Sequence, residues 1–412
     1  MSRDVLSPAK QKLLQARLAK AKSSSAEAFR IPSQPSVSRV HATSEQQRFW
    51  FVDELNPGNP AYNMHFALEL EGDLNLARLQ NAIDAVMARH EILRSRFTVV
   101  EGELYQEISD DNGAELRRHT RSSFGEPESL LIRLVREPFS LSQGPLVRAD
   151  LVELSLNRHV LLLVLHHIIC DEQSLKILVS EIADRYTNPS VQRDGTNDTQ
   201  TRFADYAMWQ RDRSAGVVQE HLPYWRETLA GLQERTSVPA DNRRSGTSMA
   251  TGRIVRHELD AGLAEKARSI ASDEKTTVLP VMLATWSALL SRYTGNHDVA
   301  VGSPVSLRTV GDLDTTVGLF INSLVLRTEI DPDLSFRDLL RRTRKTVLNA
   351  FSHQEVPHES IVEALNPERG HGENPFFDTM IVQEDLTGSS PDFGDLVASR
   401  RWVDAGICKF EL

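Results

Sequence analysis

Two adjacent histidines, His166 and His167, end an apolar run from Val160 to Leu165 and are followed closely by Asp171 and Glu172. The run reads as a buried strand. Beyond it, Leu175, Leu178, Ile182 and Tyr186 recur at helical spacing, with Ser174 the expected N-cap. Titratable side chains therefore fall on a short strand-to-helix connection. An imidazole with an ordinary pKa near 6.5 can take a proton from an attacking amine or hydroxyl at neutral pH, which suits acyl transfer. An α-amine, with a pKa of about 7.7–8.0, needs little deprotonation, so holding it in place counts as much as base catalysis. Successive strand residues face opposite ways, so one histidine is expected to serve the fold and the other a cavity.

Other chemistries fit the residues less well. Adjacent histidines on a strand diverge, which argues against a metal site built on His166, His167 and Asp171. Cys170 reads as a small buried apolar residue. The chain has no Gly-x-x-x-x-Gly-Lys-Ser/Thr loop, no Gly-x-Gly-x-x-Gly and no Gly-x-Ser-x-Gly. Nucleotide binding and the serine-hydrolase elbow are thus not signalled.

At 412 residues the chain is long enough for two or three domains. A net charge of -10 and a pI near 5.8 argue against nucleic acid as a partner, because phosphate binding needs a basic surface. The cluster Arg341-Arg342-Thr-Arg344-Lys345 reads as a solvated helix face. Two cysteines and the lack of a long apolar run point to a cytoplasmic protein that does not enter a membrane.

The elements that must position the site can be followed along the chain. Residues 6 to 22 read as an amphipathic helix with Ser7 as N-cap and Pro8 behind it, joined by a polar linker to a body starting near residue 41. Met64–Leu70 and Leu146–Leu154 read as strands and Leu74–His90 as a helix. Phe203–Gln210 and Tyr224-Trp225 lie in two separate helices beyond a loop from Asn188 to Thr201. The polar stretch Ser237–Gly252 is the expected boundary, dividing lobes at 41–236 and 253–412. The second half is expected to hold a strand at Arg253–Leu259 and helices at Ala261–Ser272 and Thr277–Tyr293. Strands from Asp298 and Val317 and a helix from Ser335 complete it. Two α/β halves of similar size suggest a pseudo-duplicated protein with a site between them.

Several segments carry a resemblance to a known family. They are Ser44-Glu-Gln-Gln47-Arg48-Phe-Trp50, Pro57-Gly-Asn-Pro-Ala-Tyr62-Asn63, Arg89-His-Glu-Ile-Leu-Arg94, His166 to Asp171, and Phe203 to Trp209. Gly318-Leu-Phe-Ile-Asn322-Ser323, His353-Gln-Glu-Val-Pro357-His-Glu359 and Asn374-Pro-Phe376 follow in order. From about residue 40 to the end, the chain resembles a condensation domain of nonribosomal peptide synthetases. The resemblance implies two chloramphenicol-acetyltransferase-like lobes in a V around a central tunnel. Upstream and downstream peptidyl carrier proteins would insert phosphopantetheine arms from opposite ends, beside an adenylation domain, with no cofactor bound directly. His167 would be the catalytic or positioning histidine, with His166 beside it. Asp171 would be structural, paired with an arginine for which Arg94 is the local candidate. Asn322, Ser323 and Gln173 become candidates for the tunnel or lobe interface.

Departures from the pattern bear on subtype. Glu172 replaces the family's glycine after the aspartate, and Gln173 its aromatic or aliphatic neighbour. Glutamate there resembles a subgroup associated with dehydrated residues. His167 with Glu172 would supply the two acid-base groups that dehydration of a seryl or threonyl donor requires. The alternatives are plain condensation or a non-catalytic docking platform. The cyclising relatives' Asp-x-x-x-x-Asp is absent, Arg369-Gly-His371-Gly-Glu only superficially resembles the epimerising signature, and recruiting relatives usually lose the second histidine. The closing Lys409-Phe-Glu-Leu412 resembles the start of a strand deep in the second lobe, which would leave that lobe incomplete.

Overall fold

Every residue from Val160 to Leu165 is at most 4% exposed, so the expected strand is covered on both faces and the first sheet is built around it. The computed structural model describes residues 31–110, 115–189, 201–232, 236, 238, 252–366, 374–384 and 390–409. The helix expected at 6–22, most of the 188–201 loop and of the 237–252 boundary, the 369–373 segment and residues 410–412 lie outside the described residues.

The first half contains β1 (Arg39–His41), α1 (Ser44–Leu55), β2 (Asn63–Glu71), α2 (Leu76–Arg89), β3 (Ser95–Val100) and β4 (Glu103–Ile108). It continues with β5 (Leu116–His119), α3 (Pro127–Arg136), β6 (Val147–Ser155), β7 (Arg158–His166) and α4 (Glu172–Thr187). After α5 (Phe203–Leu229) come α6 (Ala261–Asp273), α7 (Val278–Thr294), β8 (Asp298–Ser306), β9 (Ile321–Glu329), α8 (Phe336–Ser352), α9 (His358–Leu365) and β10 (Val397–Arg401).

The main sheet has the order β10-β2-β7-β6-β5, antiparallel except for β5 and β6. Its register pairs Asn63 with His166, so the start of β2 lies beside the end of β7. A second sheet has the order β1-β4-β3, and β8 pairs antiparallel with β9. This is the two-lobed, chloramphenicol-acetyltransferase-like α/β arrangement. The lobes are laced together: β10 joins the first lobe's sheet, and Leu307, Val310, Leu313, Val317, Leu319 and Phe320 are buried in the first core.

Three local outcomes differ from the sequence reading. Phe203–Leu229 is one helix rather than two. Phe203, Ala204, Tyr206 and Ala207 enter the first core, and Leu222, Trp225 and Leu229 the second. The polar middle crosses between the cores, which is why its apolar periodicity lapses. Residues 253–259 carry no regular secondary structure and join no sheet among the described residues. Ile254 N–H donates to Asp404 and the Arg256 guanidinium lies 4.6 Å from the Trp402 ring centroid, while the preceding Gly252 N–H donates to the Gly406 carbonyl. Finally, α1 is capped by Thr43, whose hydroxyl accepts from Gln46 N–H while the Gln46 side chain accepts from Thr43 N–H. The opening motif is therefore read from Thr43 and Gln46, one residue before Ser44 and Gln47.

Where α1 meets the second lobe, Arg48 donates to Ser323 Oγ (2.9 Å) and lies 3.4 Å from Glu359. One turn away, buried Glu45 accepts from Gln210 Nε2 at 2.9 Å. Burial, reinforced by Glu359, raises the Glu45 carboxyl from 4.5 to about 7. The folded chain thus keeps a proton that the unfolded chain releases, and stability is lost as pH rises from about 4.5 to about 7. Glu45→Gln is expected to gain nothing at pH 4.5 and roughly 3 kcal/mol over the native chain at pH 8. Urea unfolding at both pH values measures this, and a pH-independent difference would refute it.

Candidate active site

β7 ends at His166, and His167 to Ile169 form a single 3-10 turn before α4. The cap of α4 is Asp171, not Ser174 as the sequence suggested. The helix starts at Glu172, which puts Ser174 N–H within 2.8 Å of Asp171 Oδ1. The turn gives the two histidines opposite tautomers. His166 Nδ1 accepts from Ile168 N–H at 3.2 Å, so its proton sits on Nε2. His167 Nδ1 lies 2.7 Å from the Cys170 carbonyl, which can only accept, so Nδ1 carries the proton and Nε2 keeps a free lone pair. His166 meets Phe139 edge-on and His167 packs on Phe49 of α1, 4.8 Å between centroids. Burial, aided by the positive charge of Lys409, lowers both imidazoles to about 3. Both are neutral at physiological pH. Cys170 is buried and its thiol is pushed up by desolvation, as a structural residue should be.

Asp171 is held by Arg308, not by Arg94. Arg308 Nη2 lies 2.9 Å from Oδ1 and Nε 3.2 Å from Oδ2, with the two side chains 5% and 4% exposed. Arg308 also donates to the Leu313 carbonyl, to the Thr316 carbonyl (2.7 Å) and to Ser174 Oγ (3.0 Å), and its guanidinium lies 4.2 Å from the Phe320 ring centroid. The Ser174 hydroxyl accepts from Gly318 N–H at 3.0 Å. A Cβ on Gly318 would fall 2.1 Å from Phe203, so no larger residue fits this approach. The histidine loop is in this way tied to the 308–320 segment of the second half. Arg94, at the end of a 3-10 turn after α2, instead donates to the Ser109 carbonyl and braces the second sheet.

The remaining candidates fall in different places. Glu172 opens α4 with its carboxylate 3.7 Å from Arg400 of β10, and burial, followed by repulsion from Glu384, raises its pKa. Gln173 is exposed on the same turn. Asn322 donates to the Gln354 and Val356 carbonyls at 2.8 and 2.6 Å and accepts from Ser323 and His358 N–H, so it brackets the loop before α9. Ser323 meets Arg48 across the lobes. Among the described residues no cluster of histidine, cysteine or carboxylate side chains could hold a metal ion, and no helix is long and apolar enough to cross a membrane.

A histidine loop clamped between two acetyltransferase-like lobes defines a class of two-lobed α/β proteins. Within it, this chain belongs to the condensation-domain family of nonribosomal peptide synthetases: the family profile described as "Condensation domain" matches residues 38–399. The chain is 34% identical over 367 residues to surfactin synthase subunit 1 of Bacillus subtilis, covering 89% of the chain and 10% of that protein. It is 31% identical over 371 residues to bacitracin synthase 3 of Bacillus licheniformis, covering 90% and 6%. It therefore spans a tenth or less of either synthase. In fold it is similar to the X-domain from teicoplanin biosynthesis (TM-score 0.80, 24% identity, 92% of this chain and 86% of that one). It is also similar to the first condensation domain of the calcium-dependent antibiotic synthetase (TM-score 0.74, 23% identity, 91% and 87%).

Arg308, Phe49 and the hydroxyl of Ser174 are the groups that sequence reasoning missed. Removing one partner of a buried ion pair strands the other charge, so Asp171→Ala and Arg308→Ala are each expected to cost about 3–5 kcal/mol. Arg94→Ala should cost clearly less and leave the histidine loop intact. Denaturant unfolding of the three variants decides, and an Arg94 effect equal to that of Arg308 would contradict this assignment.

Proposed function

We propose that this domain joins a donor acyl or peptidyl thioester on an upstream peptidyl carrier protein to the α-amine of an aminoacyl thioester on a downstream one. Both substrates would arrive on phosphopantetheine arms through a tunnel between lobes spanning about residues 41–236 and 253–412. The domain would act as a monomeric part of a larger cytoplasmic synthetase, next to an adenylation domain. The observation that carries this reading is the free Nε2 of His167, fixed by the Nδ1–H bond to Cys170.

That lone pair accepts a hydrogen bond from the acceptor amine and aims its nitrogen at the donor carbonyl carbon. As the C–N bond forms, the amine becomes acidic. The C–S bond then breaks, and the amine's proton finally reaches the departing thiolate. An imidazole lowered to about 3 holds a proton only in passing, so His167 acts chiefly by orientation. His166 and Asp171 support the loop rather than touch substrate.

His167→Ala is expected to slow single-turnover amide formation by roughly 100-fold or more while the variant still folds, as circular dichroism would show. The native rate should show no inflection near pH 6.5, and its acid limb should follow the acceptor amine, at about 7.7–8.0. An inflection near 6.5 would make His167 an ordinary general base. Absence of amide when both loaded carriers are supplied would favour the docking-platform reading.

Dehydration of a seryl or threonyl donor is a second reading, supported by the raised pKa of Glu172, which favours a proton-donating carboxyl. Its ion-pair partner is Arg400, which opposes that role. With a threonyl-ended donor, Glu172→Gly should abolish loss of water by mass spectrometry while amide formation persists. Undiminished water loss would end this reading.

A further inference from the structure

Lys409 is a cation with no ion-pair partner among the described residues. Its Nζ lies 5.4 Å from the Tyr62 ring centroid. Tyr62 meets Phe49 edge-on at 5.2 Å, and Phe49 packs on His167, so a continuous row of rings joins the ammonium to the histidine loop. Among the described residues no carboxylate or carbonyl pairs with it. Lys409 keeps access to water, yet protein surrounds the ammonium closely enough to lower its pKa to about 8. The side chains that feel its charge are His65 of β2, His166, His167 and Cys170. The histidines among them are lowered and neutral at pH 7, and the Cys170 thiol and Tyr62 phenol are raised and keep their protons. Arg400, the other cation that acts on His65, is engaged with Glu172 and with the Phe66 and Trp402 rings. Among the described residues, the side chains on which Lys409 is seen to act are thus neutral at pH 7.

An ammonium kept partly desolvated without an anion becomes favourable when negative charge appears next to it. In amide formation that charge appears on the donor carbonyl oxygen. We propose that Lys409 is the electrostatic partner of the oxyanion formed when the acceptor amine attacks the donor thioester beside His167. The inference rests on the amide-forming reading above. As the C–N bond forms, the carbonyl π pair moves to oxygen, where the ammonium stabilises it. The pair returns as the C–S bond breaks, its electrons leave on sulfur, and the amine's proton neutralises the thiolate. Lys409 keeps its own proton throughout.

The test is single-turnover amide formation by the intact chain with both loaded carrier proteins, from pH 6 to pH 9.5, for the native chain, Lys409→Met and Lys409→Arg. Lys409→Met is expected to lose roughly 100-fold at pH 7 with an unchanged melting temperature, and Lys409→Arg to keep most of the rate. The native rate should fall above about pH 8 as the ammonium deprotonates, whereas Lys409→Arg should show no such fall. A Lys409→Met rate within twofold of native, or identical native and Lys409→Arg profiles, overturns the proposal and leaves the amide-forming reading standing. No amide from the native chain overturns both. If Lys409→Met fails to fold, the alkaline limb of Lys409→Arg decides alone.

Discussion

The bond on which the site depends is the one between Asp171 and Arg308. A single carboxylate caps α4, fixes the turn that carries His167, and pairs with a guanidinium from the other half of the chain. Arg308 in turn gathers the Leu313 and Thr316 carbonyls and the Ser174 hydroxyl, so the 308–320 segment has one seat on the histidine loop. A buried ion pair of this kind adds little net stability over a well-packed apolar pair. Its effect is selective: a loop shifted by one residue would leave two charges buried apart.

The same loop shows how neighbours of identical type acquire different tasks. His166 receives a backbone N–H and turns its protonated nitrogen away, whereas His167 gives its proton to a carbonyl and exposes a lone pair. Burial then keeps both neutral. The loop geometry, more than the intrinsic basicity of imidazole, sets what His167 can do.

Much of the architecture was legible because it followed local rules. The unbroken apolar run of β7 could only be a covered strand, and α2, α7, β8 and α8 lie within a residue or two of their expected limits. The family resemblance, carried by motifs from Ser44 to Phe376, supplied the two-lobed arrangement. What could not be read were choices made across space. Arg94 is nearer to Asp171 in sequence but braces the second sheet, whereas Arg308, 137 positions away, has the reach. Ser174 looked like a cap because the helix was expected to start later, and α5 looked like two helices because its middle crosses between cores. β10, Val-Ala-Ser-Arg-Arg, carries no apolar alternation, so nothing marked it as the edge strand of a sheet begun more than 300 residues earlier.

That last strand has a consequence for how the chain is made. Until Arg401 has left the ribosome, the β2 edge of the first lobe's sheet has no β10 to pair with, and unpaired strand edges are templates for association with other chains. The first core also waits for Leu307 to Phe320 to complete it. Folding of the N-terminal lobe is therefore not finished when its own residues have emerged; its last strand arrives with the other lobe.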